Sequence, residues 1–254
     1  MLLAIDIGNT DTVIGAYDRE TLKASIRLSI LAGTTIDGLC SFLEDSLRQM
    51  QVSIESVKKV VIGSVVPNLT GPFEESIRRY TECNPIVVTD TIKLPISIDI
   101  DQPNEVGADR IANAVAGYIG YGGPLVVVDF GTATTFDVVN NKGVYIGGVI
   151  IPGPKTSMAE LARKAARLFQ VPMEPPQSVV GRSTEDALKS GQFYGTVGQT
   201  DYIIEKIIHE TTFEKTAIIA TGGLAREIEK YSRYIERVEP YLTLDGLRLI
   251  GEMN

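Results

Sequence analysis

Val126-Val127-Val128-Asp129-Phe130-Gly131-Thr132-Ala133-Thr134-Thr135 is the stretch that most limits how this chain can fold. A β-branched run ends in a carboxylate, a glycine and a cluster of hydroxyls. The run predicts a buried strand that carries Asp129 to its tip. The glycine lets the backbone turn tightly and come close to a ligand. The threonines offer O–H and N–H donors to an anion. The chain opens with the same device, Leu2-Leu3-Ala4-Ile5-Asp6-Ile7-Gly8-Asn9-Thr10. Two such strand–hairpin elements point to two phosphate-holding turns serving one nucleotide.

The elements after each hairpin repeat as well. Thr12–Tyr17 and Ala24–Leu28 flank a polar turn, giving a three-stranded antiparallel meander with residues 2–7. A helix is then expected with Thr34 as its cap, on the spacing of Leu39, Phe42, Leu43 and Leu47. A strand at 60–66, a helix from Phe73 to Tyr80 and a strand at 86–88 complete the order β-β-β-α-β-α-β. Residues 92–103 read as a linker, and a helix starts at about Gly107 with Ile111, Val115, Tyr118 and Ile119 on one face. Gly120, Gly122, Gly123 and Pro124 stop that helix.

From Leu125 the pattern restarts. Strands at 125–129, 135–139 and 144–151 form a second meander, and helices are expected over about 157–169 and across 202–210. A strand at 217–220 leads into Thr221-Gly222-Gly223 and a short helix. The chain is therefore read as two similar halves, 1–118 and 119–254, with a ligand cleft between them.

Two hairpins and a third strand ending in Gly-Gly describe an α/β, duplicated ribonuclease-H-like fold. This is the architecture of actin, Hsp70 and the sugar kinases, with ATP in the cleft. Neither Gly-x₄-Gly-Lys-[Ser/Thr] nor Gly-x-Gly-x-x-Gly occurs, which excludes a P-loop and a dinucleotide fingerprint. A net charge of −8 without a Lys/Arg cluster argues against a nucleic-acid groove. Cys40 and Cys83 share no CxxC spacing, so they read as reduced thiols rather than a zinc or redox motif. No apolar run approaches the roughly 20 residues that span a bilayer. With no leader-like N-terminus, a cytoplasmic protein without a membrane partner is expected.

Gly107-Ala108-Asp109-Arg110 is the second constellation. An Asp at a helix start beside an Arg suits a base and an anion clamp, which phosphoryl transfer to an alcohol needs. It equally suits an acid stabilised by the helix dipole next to a surface Arg, and spacing alone favours that plainer role. Gly181-Arg182-Ser183-Thr184 likewise reads first as helix capping. His209 is expected at a helix boundary, and Tyr231 and Tyr234 as packing residues.

Taken together these segments closely resemble one family, the type III pantothenate kinases. The matching motifs run in family order: Asp6-Ile7-Gly8-Asn9-Thr10, Glu105–Arg110, Val128–Thr135, Gly147-Gly148 before Pro152-Gly153, Gly181–Thr184, Thr221–Ala225 and Leu242-Thr243-Leu244-Asp245-Gly246-Leu247. The resemblance implies ATP-dependent phosphorylation of pantothenate, the first step of coenzyme A synthesis. It implies that Asp6, Ile7, Gly8, Asn9, Thr10, Asp11, Thr12 and Val13, with Thr132, contact ATP. Asp6 would help hold Mg²⁺, and Asp129 a monovalent cation, K⁺ or NH₄⁺. Asp109 would accept the hydroxyl proton, and Gly107, Ala108, Asp109, Arg110 and Thr184 would bind pantothenate. A homodimer is also implied. Asp11 stands where relatives often carry Asn, and Ile100 aligns with a common Tyr. Two other readings stay open: a non-catalytic relative like the Bvg accessory factors, and a small-sugar kinase on the same fold.

Overall fold

In a computed structural model, residues 1–29, 34–213 and 215–254 are described. They form two compact units, Met1–Gly120 with Tyr241–Asn254, and Tyr121–Pro240.

The first unit is built on β1 (Leu2–Ile7), β2 (Thr12–Asp18), β3 (Thr21–Leu28), β4 (Lys59–Ser64) and β5 (Ile86–Val87), in the sheet order β3-β2-β1-β4-β5. The first three strands are the expected antiparallel meander, and β4 runs parallel to β1 with Ile5 opposite Ile62. Leu3, Ile5, Ile7 and Ile62 are all but fully buried, as strands covered on both faces require. Helices α1 (Ile36–Gln49) and α2 (Pro67–Tyr80) supply Leu39, Leu43, Phe73 and Ile77 to that core.

Two expectations need correcting here. Thr35, not Thr34, caps α1, its hydroxyl accepting from the Gly38 N–H at 3.2 Å. The second helix begins a turn and a half earlier than Phe73, because Pro67 at its first position needs no N–H partner and presets φ.

The expected linker contains only the two-residue β6 (Ser97–Ile98), and α3 (Ala108–Tyr121) follows. Residues Ile111 to Gly117 of α3 are buried, but Ile119 is 53% exposed and lies off the buried face. The unit is completed by α7 (Leu242–Met253), which residue order alone places in the second half. Its Leu244 lies against Gly15 of β2 and its Leu247 against Gly63 of β4.

The second unit repeats the plan. Strands β7 (Leu125–Phe130), β8 (Ala133–Val139), β9 (Val144–Pro152), β10 (Ala217–Gly222) and β11 (Arg237–Val238) run in the order β9-β8-β7-β10-β11. Again the first three are an antiparallel meander, and the next two are parallel. Val126, Val127 and Val128 are completely buried.

Helices α4 (Pro154–Lys164), α5 (Thr184–Thr211) and α6 (Ala225–Glu229) complete the unit. The structure starts α4 at Pro154 and ends it at Lys164, so the expected 157–169 helix is shifted. It also extends the expected 202–210 helix back to Thr184. Ser183 caps α5, its hydroxyl accepting from the Asp186 N–H at 3.1 Å and donating to the Asp186 carboxylate at 2.7 Å.

Candidate active site

Each meander delivers one carboxylate to a turn. Asp6 is the next-to-last residue of β1, opposite Val13, and Asp129 is the next-to-last residue of β7, opposite Thr135. The glycine two residues on closes each turn: Gly8 N–H donates to the Asp11 carbonyl at 3.0 Å, and Gly131 N–H to the Ala133 carbonyl at 3.0 Å. Both acids are half-buried, while Asn9, Thr10, Gly131 and Thr132 are exposed at the tips. Such a tip presents N–H and O–H donors to solvent around a carboxylate held on rigid strand, the arrangement that a polyphosphate and its cation need.

The first hairpin is braced on one side by β3. Asp11 accepts from the Ser29 hydroxyl at 2.8 Å and pairs with Arg27 at 3.4 Å. Its charge is thereby matched within its own sheet, so a further carboxylate here need not repel phosphates. On the other side, Val65 N–H donates to the Ile7 carbonyl at 3.1 Å. Val65 in turn lies beside Gly107, whose absent Cβ would stand 3.2 Å from Val65 Cγ1 and 2.5 Å from Asp109 Oδ1. The start of α3, and Asp109 with it, is thus seated next to the first hairpin. The sequence pattern joined these two motifs by no local signal. Packing through Val65 does.

Asp109 sits at the second position of α3, with Oδ1 accepting the Arg110 N–H at 2.8 Å. Burial pushes its carboxyl above the ordinary aspartate range, and the Arg110 N–H and guanidinium only partly oppose that. A carboxylate poised upward by desolvation is a better proton acceptor than a solvated one. Ala108 is buried and Arg110 half-buried beside it.

The second hairpin is anchored by the start of α4: the Thr132 carbonyl accepts from Gly153 N–H at 3.0 Å and from the Thr156 hydroxyl at 2.7 Å. Asp129 faces β10, where Gly222 takes φ +88° and a Cβ would fall 2.6 Å from Asp129 Oδ1. The missing Cβ therefore lets β10 pass directly against the carboxylate and the Phe130 backbone. Thr184 is exposed at the first turn of α5, and the Gly181–Thr184 loop does act as a cap. His209 is exposed and Tyr231 packs edge-on against Phe193 with ring centres 4.7 Å apart, as expected.

Among the described residues there is no group of three or more His, Cys, Asp or Glu side chains that could hold a metal by themselves. Mg²⁺ in a nucleotide site takes one or two carboxylates and completes its shell with phosphates and water. Asp6 offers one such oxygen donor. The Asp129 carboxylate offers an oxygen donor of the kind a hard cation takes.

Paired meanders with the same strand order, each ending in an Asp-x-Gly hairpin, define an actin-like ATPase and sugar-kinase fold. Solved structures agree: a ROK hexokinase from Thermus thermophilus superposes with a TM-score of 0.52 at 12% identity, covering 99% of this chain and 98% of its own. A conserved putative Baf family transcriptional activator from Campylobacter jejuni gives 0.60 at 24% identity, with coverage of 99% and 98%. Within that fold the chain belongs to the type III pantothenate kinase family, whose model matches residues 2–206. A type III pantothenate kinase from Geobacter sp. (strain M21) is 44% identical over 254 residues, the full length of both chains.

Proposed function

We propose that this chain transfers the γ-phosphoryl group of ATP to the primary hydroxyl of pantothenate, opening coenzyme A synthesis. The observation that carries the reading is Asp109, a burial-poised carboxylate at a helix start beside an Asp-x-Gly phosphate hairpin, in a full-length member of this kinase family.

The roles follow from the chemistry. Within Asp6 to Val13, the exposed Asn9 and Thr10 give N–H and hydroxyl donors to the phosphates, as does Thr132 on the second hairpin, while the paired strand residues around them hold the turn in place. Asp6 would hold Mg²⁺, which would supply positive charge against that of the phosphates and of the transferring phosphoryl group. A monovalent cation, K⁺ or NH₄⁺, at Asp129 adds positive charge without an immobile lysine. Asp109 orients the hydroxyl and takes its proton, while Gly107, Ala108, Arg110 and Thr184 hold pantothenate. Arg110 suits the pantothenate carboxylate, since a guanidinium pairs with two oxygens at once.

A cytoplasmic homodimer completes the reading. Its support is the exposed apolar set Ile150, Leu161, Tyr194 and Tyr202 on β9, α4 and α5, which a second copy would cover. No described helix is long and apolar enough to cross a membrane.

The test is formation of 4′-phosphopantothenate from ATP and pantothenate, with K⁺ or with Na⁺ as the monovalent cation. Turnover that is strong in K⁺ and weak in Na⁺ is expected. ATP consumption with a hexose but not with pantothenate would move the chain to the sugar kinases.

A further inference from the structure

We propose that the C-terminal helix α7 is a positioning element for the reacting centre, with Thr243 and Gly246 setting where Asp109 stands relative to the Asp6 hairpin. The proposal rests on the reading of Asp109 as proton acceptor.

Helix α7 is held firmly on its sheet side. The Tyr17 hydroxyl on β2 donates to Asp245 at 2.8 Å, and Tyr17 is fully buried. Leu244 would lie 2.9 Å from a Cβ at Gly15, and Leu247 2.8 Å from one at Gly63, so both leucines bed into glycine gaps of β2 and β4. Lys59 Nζ reaches the Gly251 carbonyl at 2.7 Å at the far end. Strand β2 starts where the first hairpin ends, and Val65 just beyond β4 seats Gly107. The sheet face that fixes α7 is therefore continuous with the phosphate hairpin.

On its other side α7 meets α3. The Thr243 hydroxyl donates to Asn113 Oδ1 at 2.8 Å, and Asn113 is fully buried. Gly246 lies so close to the Ala112 carbonyl that any Cβ would overlap it. Ala112 and Asn113 stand three and four residues after Asp109, one helical turn beneath it on the same face. The helix that carries the carboxylate is thus gripped one turn from its reactive end. A methyl group at Gly246 pushes α3 away from α7 and carries Asp109 with it. Displacing a catalytic group by about 1 Å costs roughly a hundred-fold in rate.

The test uses full-length protein with ATP and pantothenate. Gly246→Ala is expected to lower kcat ten-fold or more while KM for ATP stays within two-fold, because the hairpin itself is untouched. Thr243→Val should lower kcat several-fold and Thr243→Ser should restore it. Combined with Asp109→Glu, Gly246→Ala should add less than its own single-variant factor, since a carboxylate already misplaced loses less on further displacement. Variants that lower Tm yet leave kcat unchanged, or defects that simply multiply, would overturn the proposal. If Gly246→Ala does not fold, the Thr243 pair decides alone. Asp109→Asn in the same assay separates the two claims. Full activity in it sinks the proton-acceptor reading and the proposal together. An inactive Asp109→Asn beside wild-type activity in Thr243→Val sinks only the proposal.

Discussion

At the scale of single residues, the proposed chemistry rests on Asp109 and on Gly107 beside it. Burial raises the Asp109 pKa, so the folded protein holds this proton more tightly than the unfolded chain. Below the unfolded aspartate pKa the burial therefore has no charge cost, and the cost grows as pH rises through the folded pKa. Asp109→Asn is expected to raise Tm at pH 7, with the gain vanishing in acid, while it removes about 10²–10⁴-fold of turnover. Thermal scans across pH check the first part. In the wild type, kcat/KM should fall as acid protonates this carboxylate, with a midpoint above that of a solvated aspartate. Gly107→Ala places a methyl carbon 2.5 Å from Asp109 Oδ1, so the carboxylate must swing aside. The expected result is at least a ten-fold loss of kcat with KM for ATP little changed, measured by steady-state kinetics. From sequence, Asp109 could be named only through its family motif. Its spacing alone favours a dipole-stabilised acid, because desolvation is set by packing that no local pattern encodes.

At the scale of elements, the longer strands were legible, while the two-residue β6 and β11 and the helix ends were not. Both meanders appeared as β-branched runs punctuated by turns, since strand alternation and Asp-x-Gly turns are local. Helix α5 is legible at its Gly181–Thr184 cap and in its Ile203/Ile204/Ile207/Ile208 third, but not as one continuous helix. Its earlier turns carry Gly191, Gly195 and Gly198 in place of an apolar stripe. Gly191 and Gly195 line a cavity of about 260 Å³ with Ile151, Met158 and Leu161 instead of filling a core. Strand β10 makes the element-scale prediction. Gly222 combines φ +88° with contact to Asp129, so Gly222→Ala adds backbone strain of about 1–2 kcal/mol, a Tm loss of roughly 2–8 °C. It should also blunt activation by K⁺ more than it alters KM for pantothenate. Cation titrations at fixed ATP read this directly, and unchanged K⁺ activation would move the cation away from Asp129.

For the whole molecule, duplication was visible in the order of elements, and each unit does show the strand order 3-2-1-4-5 in its own numbering. What residue order could not show is that the last fourteen residues return to the first unit. The Leu244 contact at Gly15 and the Tyr17–Asp245 bond join positions more than two hundred residues apart. The homodimer belongs to this scale. Light scattering is expected to give twice the chain mass, and Tyr202→Asp with Leu161→Asp should shift it toward the monomer. A monomeric wild type at micromolar concentration would remove the dimer from the account.

The most direct test of the central claim is a mass-spectrometric assay of 4′-phosphopantothenate, comparing wild type with Asp109→Asn at saturating ATP, Mg²⁺ and K⁺. Steady product is expected from the wild type and at least a hundred-fold less from a folded Asp109→Asn. Equal product from both would contradict that claim.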